Sequence, residues 1–373
     1  MNFNLNDEQS MFVESAARYV RERSNIEDKR QTAASEAGFS KTHWAQFAEM
    51  GWLALNLPER VDGMACGMTD LALVMEQIGK GAFHEPLIDT PILCGTLLSS
   101  VENNSYSDRI LAGIATGEQI VALAHIENDG RCEWTTEVTT QAVTGDNGWL
   151  LSGEKQRSFY APQANHLIVS AECNGETAFF LVDANSDGIS MDTYQMIDGS
   201  HAADINFKNV AVATENKLLS GEAGQQALSL ALDKSVLADC ARALGSMEIV
   251  MAMTADYIKT RVQYGKPLSQ FQSLQHRMSE MLVEYEQAQS IFYRALSLFD
   301  NEAERGSAIS AAKVLISKAG QWVVGQGIQL HGGIGVTEEF AVGHHYKAML
   351  TLEQRFGNSD WHLDRCDSII DSH

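Results

Sequence analysis

Two stretches of the chain carry side chains whose types and spacing suit a large anionic ligand. The first, RVQYGKPLSQFQSLQHRM, runs from Arg261 to Met278. Arg261 is a permanent cation whose planar fork of N–H donors matches a pyrophosphate. Tyr264 offers a stacking face, Gly265 and Pro267 set a turn, and Gln263 and Gln272 add amide donors and acceptors. The second, QLHGGIG, opens with Gln329 and brings Gly332, Gly333 and Gly335 close together. Without side chains the main chain can take positive φ and approach a flat ligand or its phosphates closely. A turn between two helices calls for the same glycines, so the cluster alone leaves both readings open. A third set, Lys155, Arg157 and Ser158 in GEKQRSFY, brings charge and a hydroxyl to a strand end, where a solvated sheet edge is the alternative.

The elements that must position these groups fall into three segments. Residues 1–116 read as a helical domain: Asn6 and Gln9 form a capping pair, and Phe12, Ala16, Tyr19 and Val20 follow at helical spacing. Trp44, Phe47 and Met50 mark another helix, PERVDGMACG reads as a loop, and Leu71 to Ile78 resume the helical pattern. Residues 117–215 change texture to short apolar runs between turn signals, VALAHI, WLLSG, HLIVSAE, TAFFLVDA and ADINFKNVAV, with Asn174-Gly175 as a hairpin signal. This predicts a middle β domain, barrel- or sandwich-like. Residues 216–373 return to helix, with apolar faces through Leu237 to Ile258, Leu274 to Phe292 and Ile309 to Val323, and a fourth helix holding Met349 and Leu352. A C-terminal four-helix bundle is the economical arrangement, and the fold class is α+β, multi-domain.

Composition bounds the partners. The 373 residues are 45% hydrophobic and 20% charged, as in a soluble globular protein, and 49 acidic against 27 basic residues give a net charge of −22. Such a surface argues against nucleic acid or an anionic membrane as partner. A small polyanion remains compatible, because charges beyond roughly 8 Å are screened at physiological salt and a few local cations decide the site. The six cysteines show no C-x-x-C spacing and no metal-ligand pattern, and read as reduced thiols. The acidic start, MNFNLNDEQSMF, has no apolar signal region, so a cytoplasmic location is expected.

With a helical, a β and a second helical segment in this order, the Arg261 and QLHGGIG motifs resemble those of the acyl-CoA dehydrogenase family. MNFNLNDEQ, ALVMEQIGKGAFHEP, DGSHAADINF and the R-x-Q-Y-G-K-P-x-x-x-F-Q-x-L-Q-H-R run are similar to the small subunits of pimeloyl-CoA dehydrogenase, which, like the paired dehydrogenases of bacterial steroid breakdown, work beside a related chain. The resemblance implies FAD, bound across a subunit interface. It places Arg261, Gln263, Tyr264, Phe271 and Gln272 on the cofactor, Arg261 at the pyrophosphate of a neighbouring protomer, and Gln329, Gly332 and Gly333 on the adenine side. The family's Trp-x-Thr or Trp-x-Ser group after Gly-x-Lys has no tryptophan here, and Ser158 fits the hydroxyl position near flavin N5. The loop that usually reads Thr-Glu-Pro is Ala124 to Gly130, AHIENDG, which removes hydroxyl contacts while leaving backbone ones.

The implied reaction needs a carboxylate to take the α-proton of an acyl-CoA thioester while the flavin takes hydride from the β-carbon. A desolvated carboxylate of raised pKa suits that task. In register with the family, the residue before Gly357 holds the base, and here it is Phe356; the alternative place on the first bundle helix falls at Ser235. Neither accepts a proton. Asp233 and Asp239 lie about 200° and 40° around the helix from Ser235, so Asp239 is the better placed, and Glu353 and Asp360 are further candidates. Each is otherwise an exposed or capping acid. The resulting expectation is a FAD-binding acyl-CoA dehydrogenase subunit, feeding electrons to electron transfer flavoprotein, in a homo- or hetero-oligomer whose partner supplies the carboxylate. An acyl-CoA oxidase or flavin monooxygenase on the same fold, and a non-catalytic structural partner, are the other readings.

Overall fold

The computed structural model describes residues 4–102, 104–127, 130, 132–134, 137–145 and 148–371. Its first part is helical: α1 (Asp7–Arg23), α2 (Ile26–Ala33), α3 (Lys41–Glu49), α4 (Met68–Gly81), α5 (Gly95–Ser99) and α6 (Ser105–Ala115). At the start of α1 the Asn6 side chain accepts from the Gln9 N–H at 2.7 Å, and the Gln9 side chain accepts from the Asn6 N–H at 3.2 Å. This reciprocal pair satisfies two donors that a helix start otherwise leaves open. Ala16, Tyr19 and Val20 bury the inner face of α1, and Trp44 and Phe47 that of α3. Ahead of α5 the chain winds into a wide π turn from Ile88 to Cys94 with Pro91 inside it; the missing proline N–H is one reason for the irregular ladder.

Strands β1 (Val121–Ala124), β2 (Gln141–Gly145), β3 (Gly148–Phe159), β4 (His166–Cys173), β5 (Glu176–Asp183), β6 (Ile189–Gln195), β7 (His201–Ala213) and β8 (Lys217–Ser220) form one mixed sheet. Its order is β6-β7-β3-β2-β4-β5-β8, and β1 pairs with β4 in parallel. The β4–β5 hairpin closes on Asn174 and Gly175 with φ of 57° and 87°, between the paired Cys173 and Glu176. Two successive positive-φ residues give the tight turn whose twist matches the strands, which is why Asn-Gly is found there. One face of the sheet packs Leu151, Leu167, Phe180, Ile205 and Phe207 into a core.

From Gly221 the chain is helical again: α7 (Gly221–Thr260), α8 (Gln272–Ser297), α9 (Glu302–His331), α10 (Ala341–Gln354) and α11 (Ser359–Asp371), with the short strands β9 (Val262–Gln263) and β10 (Lys266–Pro267) between α7 and α8. The chain groups into two compact units, Met1–Gln31 with Met68–Phe83 and Val236–His373, and Thr32–Gly67 with His84–Ser235. Within the first unit α4 and α7 approach at their backbones. A Cβ on Gly245 would strike the Glu76 carbonyl, and one on Gly79 the Arg242 carbonyl. Only glycine permits that closeness.

Among the described residues no helix is long and apolar enough to cross a membrane, no group of acidic, His and Cys side chains could hold a metal ion, and the six cysteines are unbridged.

Candidate active site

Arg261 follows the last turn of α7. Its N–H donates to the Tyr257 carbonyl at 2.8 Å and its own carbonyl accepts from the Leu268 N–H at 2.9 Å, so the main chain is fixed while the side chain is left to the surface. Among the described residues the guanidinium has no partner. The turn that follows is the β9–β10 hairpin, closed by Tyr264 and Gly265 at φ of 53° and 80°. Glycine takes this conformation freely, whereas tyrosine is held there at a cost of about 1 kcal/mol. The Tyr264 ring is 92% exposed and stands edge-on to Phe271, 6.2 Å between centroids. Lys266 Nζ lies 4.3 Å from the Phe271 ring centre.

Arg261, Gln263, Gln329, Gly332 and Gly333 line one cavity of about 730 Å³, together with Ser273, Leu274 and Arg277 of α8 and Tyr257 and His331. Gln272 is the exposed first residue of α8, and the helix starts on Phe271 without a side-chain cap. Its first turn, of which Ser273 and Leu274 line the cavity, holds no acidic side chain to offset the positive end of the helix. On the other wall α9 ends at Gly332, φ 64°, and no atom lies within 4 Å of a Cβ placed on Gly332 or Gly333. That open glycine shelf, an arginine without a partner and a lining with no carboxylate among the described residues fit a phosphate-bearing dinucleotide.

His331 is buried, stacks on Tyr257 at 4.5 Å between ring centres, and keeps Nδ1 at 2.7 Å from the Gly327 carbonyl. A carbonyl only accepts, so Nδ1 carries the proton. Burial lowers the imidazole pKa, against the bond to Gly327, which raises it. Arg277 and His331 were not singled out by sequence; the signal for Arg277 is its position four residues after Ser273, on the same face of α8.

The places expected to hold a base are apolar or hydroxylic. Phe356 is 1% exposed, in the left-handed region at φ 56°, with the Arg355 guanidinium carbon 4.6 Å above its ring. Its carbonyl accepts from His362 Nε2 at 3.0 Å. Lys313, fully buried on α9, donates from Nζ to the carbonyls of Leu352 and, at 3.1 Å, Arg355. Ser235 is fully buried and donates to the Ala231 carbonyl at 2.7 Å.

The carboxylate candidates differ in setting. Asp239 is 4% exposed, with one oxygen 3.5 Å from Arg242 Nη1 and the other buried without a hydrogen-bond partner. It is neither exposed nor capping, and its charge supports the buried Lys313 ammonium, whose pKa burial pulls down. Glu353 accepts from the Ser359 N–H and hydroxyl, both at 2.9 Å, and so caps α11; Asp360 is exposed in the first turn of α11, and Asp233 is buried in α7.

Ser158 lies in the other unit, buried on β3, and donates to the Leu123 carbonyl at 2.8 Å. Beside it β3 bulges: Arg157 has φ 50°, its N–H donates to Asp204 at 2.9 Å, and Nη2 donates to the Gly130 carbonyl at 2.8 Å. Asn128 and Asp129 of the expected loop lie outside the described residues. Its other members are stapled from below. Lys155, with no exposed surface, donates to Glu127 at 2.5 Å and to Ser170 Oγ at 2.9 Å; Ser170 donates on to His125 Nδ1 at 2.7 Å, and His125 Nε2 donates to the Glu133 carbonyl at 3.0 Å. Glu127 also accepts from the Thr139 N–H and hydroxyl and from the Thr140 N–H. Burial opposes its charge, but the bonds from Lys155 and Thr139 outweigh it and hold the carboxyl at about 2. Burial lowers Lys155 to about 8 and His125 to about 3.

Comparison with known proteins matches residues 6–118 to the acyl-CoA dehydrogenase N-terminal domain and residues 222–367 to the acyl-CoA dehydrogenase C-terminal domain. The chain belongs to the acyl-CoA dehydrogenase family, a family of flavin-dependent oxidoreductases. It is 27% identical over 319 residues to the acyl-CoA dehydrogenase FadE12 of Mycobacterium tuberculosis (strain ATCC 25618 / H37Rv), covering 83% of this chain and 81% of that protein. It is 26% identical over 351 residues to subunit CarC of the caffeyl-CoA reductase-Etf complex of Acetobacterium woodii, covering 91% and 92%. Among solved structures the Tcur3481-Tcur3483 steroid ACAD superposes with a TM-score of 0.87 at 26% identity over 98% of both chains.

Proposed function

We propose that this chain is the FAD-binding, base-deficient subunit of a heteromeric acyl-CoA dehydrogenase that introduces a trans-2 double bond into an acyl-CoA thioester. The observation that carries the reading is a cavity lined by Arg261, Gln329, Gly332 and Gly333, together with a buried phenylalanine at position 356, where the family resemblance expects the base. Arg261 would hold the pyrophosphate, the glycine shelf and Gln329 the adenosine end, and the exposed Tyr264 and Gln272 the rim. Ser158 would serve the flavin ring. When bound, the flavin supplies the hydride acceptor. The α-proton then needs a carboxylate, and Phe356 and Ser235 cannot provide one, so a homologous partner chain contributes it.

The relatives support this pairing: the Tcur3481-Tcur3483 structure is named for two chains, and CarC is named as part of a complex with Etf. Electron transfer flavoprotein is accordingly the acceptor we assign, and the cytoplasm the place of action. Asp239 is the candidate base should the chain act alone. Purification of the chain by itself and together with a homologous dehydrogenase subunit tests the proposal. Expected is flavin absorbance in both preparations and acyl-CoA-dependent dye reduction only in the pair; full activity of the chain as a homo-oligomer refutes it.

A further inference from the structure

We propose that Arg277 is a second phosphate-binding residue, so that the cavity between the start of α8 and the end of α9 is a diphosphate subsite formed by two guanidinium groups. The inference rests on the reading of this cavity as a dinucleotide site and adds a residue to it. Ser273, Leu274 and Arg277 share one face of α8 by their spacing of one, three and four residues, and all three line the cavity that Arg261 enters from the end of α7.

The Arg277 side chain is oriented by one bond: Nη1 donates to Gln326 Oε1 of α9 at 2.8 Å. A guanidinium has five donors in a rigid fork. The other four have no partner among the described residues, and neither does any guanidinium donor of Arg261. The chain carries a net charge of −22, yet the cavity wall includes two arginines and, among the described residues, no carboxylate. Two unneutralised like charges facing one space repel each other, and one monoanion would balance only one of them. A diphosphate balances both, and bidentate guanidinium–phosphate contacts are strong and directional. The uncapped start of α8 adds partial positive charge on the same side.

The ligand chemistry is an adenosine diphosphate moiety. Two molecules of the proposed reaction carry one, a flavin dinucleotide and coenzyme A, and competition separates them. The experiment measures the Kd of FAD on the purified full chain by flavin fluorescence, with ADP, AMP and coenzyme A as competitors. Expected for the unaltered chain is an ADP-over-AMP preference of tenfold or more. Arg277→Gln should weaken FAD and ADP at least tenfold and cut that preference below threefold, Arg277→Lys should fall between, and Gln326→Leu should weaken ADP a few-fold. Displacement of FAD by ADP assigns the subsite to the flavin; binding of ADP and coenzyme A, read by calorimetry, that leaves FAD in place assigns it to the thioester carrier.

An unchanged ADP-over-AMP preference in Arg277→Gln overturns the proposal. If Arg261→Gln abolishes FAD binding while Arg277→Gln binds as before, the dinucleotide reading stands and the second cation falls. If the unaltered chain binds neither FAD nor ADP, both fall.

Discussion

The staple under the 125–140 segment makes a prediction whose size follows from its geometry. Glu127→Gln removes the negative partner of Lys155 and leaves a fully buried ammonium facing only neutral acceptors among the described residues: the new amide oxygen, Ser170 Oγ at 2.9 Å and the His125 carbonyl at 3.3 Å. An uncompensated buried charge costs about 3–5 kcal/mol. At about 2–4 °C per kcal/mol for a unit of this size, the melting temperature should fall on the order of 10 °C. Lys155→Met is milder, because Glu127 keeps the Thr139 N–H at 2.8 Å, the Thr140 N–H at 3.0 Å and the Thr139 hydroxyl. The double variant removes both charges, so its loss should be smaller than the sum of the two by well over the 0.5 kcal/mol or so within which independent sites add.

The pH dependence gives a second signature of the same staple. Lys155 is already lowered to about 8 with Glu127 present, and losing that counter-charge lowers it further. Between the folded pKa and the unfolded value near 10.5 the unfolded chain binds the extra proton, so stability rises with pH across that window, by up to about 1.4 kcal/mol per pH unit. In the unaltered protein this rise starts near pH 8; in Glu127→Gln it should already be visible between pH 6 and 8. Thermal denaturation followed by circular dichroism over pH 6–9 is the assay. Additive single variants, or a Glu127→Gln melting curve that ignores pH, would refute the reasoning.

Two further outcomes are expected. Phe356→Glu, made in the chain alone, should raise exchange of the α-proton of a bound acyl-CoA with D₂O by about 10²–10⁴-fold, the usual contribution of a placed general base; no gain over the unaltered chain means that position 356 does not face the thioester. His125, His345 and His362 are each lowered by burial to about 3. Stability from these neutral rings is complete above the unfolded pKa near 6.5 and is lost as pH falls, since only the unfolded chain protonates. The loss at pH 5.5 is about 4 kcal/mol for the three together, and melting temperatures that are equal at pH 7.5 and 5.5 would contradict it.

Features with a local physical cause were legible in the sequence. The Asn6–Gln9 pair, the Asn174-Gly175 hairpin and the buried faces of α1, α3 and α7 follow from rules that act within a few residues, and the structure reproduces them. Strand β6 was missed because ISMDTYQ has no buried position and hence no apolar alternation to read, and β2 because only Ala142 of QAVTG is buried. At the candidate site, Arg261 and the QLHGG glycines were legible as types, and the cavity joins them. The partners that sequence passed over act across long separations: Lys313 reaches carbonyls about 40 residues away, and Lys155 meets Glu127 only because β3 folds back beneath that segment. Asp239 looked like a surface acid; its burial depends on the neighbouring helices, which no local pattern reveals.

Several bonds hold the turn around Phe356 through its main chain, beside the buried ring that lies under the Arg355 guanidinium. Lys313 grips the carbonyls of Leu352 and Arg355, and His362 donates to that of Phe356. None of these bonds consults the side chain at 356. The backbone shape is therefore inherited independently of the residue that projects from it, and a chain of this design can lose or regain a proton acceptor by exchanging one side chain. After gene duplication, two copies could divide the labour of cofactor holding and proton abstraction without either having to evolve a new fold.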